Sequence, residues 1–172
     1  ILKQISKNPY TEKEDKFFDR ASFKILVHEI VDSFKDLSKK RIIINENDYK
    51  KDYLITKKIE IIYSLKNIID NALKFSSNKI EIFLSSNENE LRIKVEDDGE
   101  GFSKQILGFL GDPYINKRDL DNNKEGLGLG IFIAKVFLER LSAIINFYNL
   151  EDKGAAVDIS WQKKDLINLK LI

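Results

Sequence analysis

The 172-residue chain has no cysteine and no methionine, and only two prolines, one tryptophan and one histidine. Without cysteine there is no disulfide and no thiolate metal site. With His28 alone, a multi-histidine metal centre is excluded as well. No window approaches the roughly 18 apolar residues of a membrane-spanning helix, and no signal peptide opens the chain. A surplus of one charge is missing too: 29 Lys and Arg face 28 Asp and Glu, a formal net charge of +1. That balance gives no electrostatic case for nucleic acid or an anionic membrane, and neither partner is expected. The opening on Ile1 and the lack of methionine point to a piece of a longer chain, with any anchor or sensor outside it.

What is present suits one folded body. Apolar residues make up 42% of the sequence, and a chain of this length buries about 70% of its unfolded surface. Residues 1–7 read as the last turns of a helix, ended by Asn8-Pro9, because the residue before proline avoids the helical region. A charged linker follows. Residues 22–37 place Phe23, Leu26, Ile30, Phe34 and Leu37 on one helical face. Strands are predicted over 41–45 and 53–56, and a strong helix over 57–76. Residues 79–86 and 90–96 alternate as a hairpin, and 143–150 with 155–161 as another. Between them lie a short helix over 102–110, a polar loop over 111–125 and a helix over 131–141. Residues 163–172 form a tail without a placement. The mixture implies an α+β fold, a two-layer sandwich with helices on one face of a mixed, mostly antiparallel sheet.

The helix over 57–76 has two faces. At 100° per residue, Tyr63, Asn67, Asp70, Asn71 and Lys74 fall within roughly 60° of one direction. Ile61, Ile62, Leu65, Ile68, Ile69, Ala72 and Leu73 gather opposite, toward the sheet. Carboxamide oxygens are hard, neutral ligands that suit Mg²⁺ carrying water and phosphate. A lysine one turn on can neutralise phosphate oxygens. A solvated polar face is the plain alternative.

Two glycine clusters follow. Asp97-Asp-Gly99-Glu-Gly101 comes at a strand end, where glycine permits close approach and the carboxylate can accept from an exocyclic amine. An ordinary Asp-Gly turn would read the same way. Gly126-Leu127-Gly128-Leu129-Gly130 precedes a helix, and exposed N–H groups at a helix start bind anions. It lacks the Gly-Lys-Ser/Thr of a Walker A loop and the flanking βαβ unit of a dinucleotide fingerprint.

The order of these parts resembles the GHKL (Bergerat) ATP-binding fold of sensor histidine kinases. The N box is Asn67-Ile-Ile-Asp-Asn71-Ala-Leu-Lys74-Phe75, the G1 box 97–101 and the G2 box 126–130. Leu107-Gly-Phe-Leu-Gly-Asp-Pro-Tyr114, the run 125–135, Leu138-Glu-Arg140 and the ending 154–161 further resemble the RegB/PrrB group of redox-responsive kinases. The resemblance implies residues 1–19 as the end of a dimerisation helix and linker, 20–162 as the catalytic domain and 163–172 as a tail. It implies ATP and Mg²⁺ as cofactors. Asn71, assisted by Asn67, would hold the metal, and Lys74 would contact phosphate. Asn71 and Lys74 would thus serve the chemistry directly. Phe75 would border the base, Asp97 would accept from adenine, and Gly99 and Gly101 would admit the base and a lid hinge. Gly126 to Gly130, with Leu127, Gly128 and Leu129, would meet the phosphates, and Lys117 and Arg118 would reach them from a lid.

The implied reaction is γ-phosphoryl transfer to a histidine upstream of this chain. ATP-hydrolysing relatives carry a glutamate base where Asn67 stands, and a carboxamide takes no proton from water. His28-Glu29 imitates a phosphoacceptor box, but the proline usual a few residues later is missing, and His28 lies too close before Asn67. It is assigned instead to the first helix of the catalytic domain. The implied partners are the protein's own dimerisation and phosphoacceptor domain and a response regulator, at the cytoplasmic face of a bacterial inner membrane. A monomer is expected for this piece and a dimer for the whole. The alternatives are a non-catalytic docking module of pseudokinase type, and a GHKL ATPase or anti-sigma-type serine kinase.

Overall fold

The structure is a computed structural model that describes residues 20–111 and 129–166. Among the described residues, seven strands and five helices follow one another: β1 (Arg20–Ser22), α1 (Phe23–Lys35), β2 (Arg41–Tyr49), β3 (Leu54–Thr56), α2 (Ile59–Phe75), β4 (Lys79–Ser86), β5 (Glu90–Asp97), α3 (Lys104–Gly111), α4 (Leu129–Arg140), β6 (Ile144–Asn149), β7 (Ala155–Gln162) and α5 (Lys163–Leu166). Ser22 ends β1 and caps α1, its hydroxyl accepting from the Ile25 N–H at 3.3 Å. β1 pairs antiparallel with β3 as a small separate ribbon.

The main sheet runs β2-β4-β5-β7-β6. β2 lies parallel to β4, because the chain crosses through β3 and α2 between them, while the other pairs are antiparallel. Alternation divides the faces. Ile80, Ile82 and Leu84 of β4, Leu91, Ile93 and Val95 of β5, and Val157, Ile159 and Trp161 of β7 are buried under the helices. The opposite face carries charge: Lys94 pairs with Glu96 at 2.7 Å, Arg92 with Asp158, and Lys79 with Glu81. Phe23 of α1 meets the Trp161 ring edge-on at 5.8 Å, joining the helical layer to β7.

The α+β two-layer sandwich and both hairpins stand as the sequence implies. β2 extends four residues past its predicted end at 45. A register shift between Asn45 and Asp48 lets the polar run Asn45–Tyr49 stay paired with β4, which period-2 patterning hides. α3 starts at Lys104 rather than 102. α4 starts at Leu129, so Gly130 lies inside its first turn rather than before the helix. The tail is partly structured as α5. No helix among the described residues is long and apolar enough to cross a membrane.

Candidate functional site

The apolar stripe of α2 packs on the sheet, which turns its carboxamides outward. The Asn67 amide nitrogen donates to the Tyr63 carbonyl at 2.8 Å, and that of Asn71 to the Asn67 carbonyl at 2.7 Å. Each nitrogen thus donates to the preceding turn, and the oxygens are the atoms suited to a hard cation. α4 packs beside α2, tied by Ser64 Oγ, which donates to the Ala134 carbonyl at 3.3 Å. A β-carbon at position 130 would lie 2.5 Å from Asn67 Oδ1. Glycine there lets the N-box amide and the start of α4 share one space.

Asp97 ends β5 on the buried face and is 9% exposed. Both hydrogen bonds it accepts from described residues fall on Oδ1, from Gly99 N–H at 2.8 Å and Ala155 N–H at 3.4 Å. Burial pushes its carboxyl above the usual range, against the lowering effect of those two backbone donors. Asn71, Phe75, Val95, Asp97, Phe102 and Ile131 wall one pocket. A β-carbon at Gly99 would sit 2.2 Å from the Phe75 carbonyl oxygen, so this glycine is what lets G1 lie against the end of α2. Gly101 adopts φ +87°, a conformation that favours glycine.

Two residues outside the expected set hold this corner. Asp98, one residue past the end of β5, turns to the link between α2 and β4. Its Oδ1 accepts from the N–H groups of Ser77 at 2.7 Å, Asn78 at 2.9 Å and Lys79 at 3.2 Å, fixing the link from α2 to β4. Partial burial raises its pKa, but the backbone donors outweigh that and bring it to about 2. Lys40 Nζ donates to the carbonyls of Leu73 and Ser76 at 2.6 Å each and Lys74 at 3.3 Å, capping α2. The doubled Asp97-Asp98 was the one available signal, since strand alternation sends adjacent carboxylates to opposite sides. Lys40 comes from a distant loop and leaves no sequence signal.

Asp98 makes a pH prediction. A carboxylate with a depressed folded pKa contributes stability that is present above its unfolded value and lost as pH falls through the folded one. The stability gap between wild type and Asp98→Asn is expected to narrow on acidification from about pH 4 to about pH 2. Denaturant unfolding at pH 6 and pH 2.5 measures it, and a constant gap refutes the assignment.

The expected site residues divide clearly. Asn67, Asn71, Phe75, Asp97, Gly99, Gly101, Leu129 and Gly130 are brought to one region. Lys74 Nζ lies over the Phe75 ring, 5.4 Å from its centroid, at the edge of that region. Lys117, Arg118, Gly126, Leu127 and Gly128 lie outside the described residues. His28 is on α1, where its Nε2 meets Glu46 Oε1 of β2 at 2.5 Å, within the same body as the pocket.

A sheet backed by helices, with Asn71 and a buried strand-end carboxylate lining one pocket and Asn67 beside it against Gly130 of α4, makes a domain of the two-layer α+β class. The family of histidine kinase-, DNA gyrase B- and HSP90-like ATPases matches residues 56–165, and the chain belongs to it. Sensor histidine kinase RegB of Cereibacter sphaeroides is 33% identical over 131 residues, 66% of this chain and 28% of that protein. Sporulation kinase A of Bacillus subtilis is 27% identical over 100 residues, 57% of this chain and 16% of that protein. The chain therefore spans less than a third of these relatives. Among solved structures, the catalytic domain of histidine kinase ThkA superposes with TM-score 0.68 at 18% identity, covering 84% of this chain and 94% of that one. The histidine kinase domain of the E. coli osmosensor EnvZ gives 0.63 at 18%, covering 84% and 88%. These two show the fold, and the resemblance to sensor kinases that include RegB holds.

Proposed function

We propose that this chain is the ATP-binding catalytic domain of a two-component sensor histidine kinase, residues 20–162 forming the domain. The observation that supports it best is the convergence of Asn71 and Asp97 on one pocket, with Asn67 against Gly130 beside it. Asp97, its Oδ1 held by two backbone donors, offers Oδ2 to the amino group of adenine. Phe75 borders the base. Asn67 and Asn71 suit Mg²⁺, because their amide nitrogens donate to the preceding turn and their oxygens are hard, neutral ligands. When bound, the metal neutralises phosphate charge. Lys74 contributes a cation from the same helix, and the N–H groups opening α4 face the phosphates.

The reaction breaks the bond from the γ-phosphorus to the bridging oxygen of ADP and forms a bond from phosphorus to an imidazole nitrogen. This domain positions and neutralises, and it needs no nucleophile of its own. The acceptor histidine belongs to the protein's own dimerisation domain, and a response regulator takes the phosphoryl group onward. On this reading the whole protein works at the cytoplasmic face of a bacterial inner membrane.

Titration with a non-hydrolysable ATP analogue tests the site. Binding should require Mg²⁺. Asn71→Ala should weaken it by about tenfold or more and abolish the magnesium dependence, in line with loss of one ligand to a charged group. Unchanged affinity refutes the assignment. Appreciable steady-state ATP hydrolysis would favour the ATPase reading, against which Asn67 stands as a side chain unable to act as a base. Failure to phosphorylate a supplied acceptor domain would favour a docking module.

A further inference from the structure

Building on the nucleotide-site reading above, we infer that Asn149 is a positioning residue for that site, acting through Phe102. Asn149 ends β6, an edge strand of the main sheet. An edge strand has backbone groups with no neighbouring strand. Here the Asn149 side chain stands in for one. Its Oδ1 accepts from the Phe102 N–H at 2.7 Å and its Nδ2 donates to the Phe102 carbonyl at 3.0 Å. The amide thus pairs with both polar groups of one residue, as a strand does.

Phe102 lines the same pocket as Asp97 and Asn71. Its ring also meets Phe147 of β6 edge-on, with centroids 6.2 Å apart. Backbone and ring of this pocket wall are therefore both held from β6, a strand that carries none of the recognised motif residues. Gly101 records the same contact from the other side. A β-carbon there would lie 2.8 Å from Asn149 Oδ1 and 3.0 Å from its Cγ. The second glycine of G1 is required by this amide as well as by its φ of +87°. The wall stands next to Asp97 through only a few residues of chain, so releasing it loosens the pocket on its Asp97 side. Asn149 itself is exposed, and its truncation leaves the core packing in place.

The test compares the wild-type chain with Asn149→Ala and Asn149→Asp. Asn149→Asp keeps the shape and the acceptor but sets a carboxylate oxygen against the Phe102 carbonyl. Three quantities are read: affinity for the magnesium complex of a non-hydrolysable ATP analogue, the unfolding midpoint, and hydrogen exchange of the Phe102 amide. Exchange at Phe102 should accelerate in Asn149→Ala, which removes the acceptor, and affinity should fall in both variants, by about tenfold in Asn149→Ala, the scale of two lost hydrogen bonds. The unfolding midpoint should stay well above the assay temperature. Wild-type affinity in variants with fast Phe102 exchange overturns the role. Unchanged exchange in Asn149→Ala overturns the clamp itself. Affinity lost only through unfolding at the assay temperature makes the residue structural and overturns the positioning role. A wild-type chain that binds no nucleotide overturns the reading of the site and this role with it, whereas wild-type binding matched by both variants overturns this role alone.

Discussion

Asp97→Asn should lose nucleotide binding by about 100-fold or more while folding at least as stably as the wild type. Asparagine is isosteric with aspartate. Its Oδ1 can still accept from Gly99 and Ala155. In the proposed site the other atom, however, becomes an N–H donor that faces the amino group of adenine. A charge-assisted bond of about 1.5–3 kcal/mol is replaced by an opposed pair of donors, costing about 1–3 kcal/mol more. Together these effects span roughly two to four decades of affinity.

The stability half of that prediction follows from the pKa direction. Burial raises the Asp97 pKa above 3.8. A carboxyl with a raised folded pKa binds protons more readily in the native state, so stability falls as pH rises from the unfolded value through the folded one. Above that window the buried charge is a standing cost, and asparagine removes it. Calorimetric titration and thermal unfolding at pH 7 check both halves. A variant that binds normally, or one that unfolds well below wild type, contradicts the argument.

Gly154→Ala carries the second large effect, this time on the fold. Gly154 adopts φ +116°, and a β-carbon there would lie 1.9 Å from the Asp97 carbonyl oxygen. The obstacle is backbone, which cannot rotate aside as a side chain does. Backbone strain of about 1–3 kcal/mol adds to the displacement of β5 from β7, for a total of about 3 kcal/mol or more. A chain of this size loses roughly 2–4 °C per kcal/mol, so the melting temperature should drop by about 10 °C. Gly108 supplies the contrast: it lies in α3 with nothing within 4 Å of its would-be β-carbon. Gly108→Ala should be neutral or stabilising by about 0.5–1 kcal/mol. Equal behaviour of the two alanines would refute the steric account.

Much of the site was legible because periodicity separates its parts. The 3.6-residue period puts Asn67 and Asn71 opposite Ile68, Ile69 and Ala72 on α2, and those apolar residues are buried against the sheet. Period-2 alternation likewise brings Asp97 to the face of Val95 and Ile93. What the sequence hides is support across elements. Lys40, Asp98 and Asn149 each hold a backbone segment far from themselves in the chain, and no local pattern encodes such a partner. Asn45–Tyr49 was missed for a related reason, since its strand state depends on pairing with β4 across a register shift.

The hydrogen bonds on Asp97 also set a folding order. Gly99 is two positions away, but Ala155 is separated from Asp97 by 58. The β4–β5 hairpin closes over a three-residue turn between Ser86 and Glu90, whereas β7 must return across all of α3, α4 and β6. Distant pairings pay their loop-closure entropy late. Every N-box, G1 and G2 residue is synthesised before the strand that completes the carboxylate cradle exists. A nascent chain ending near Arg140 would hold all three boxes and no working pocket.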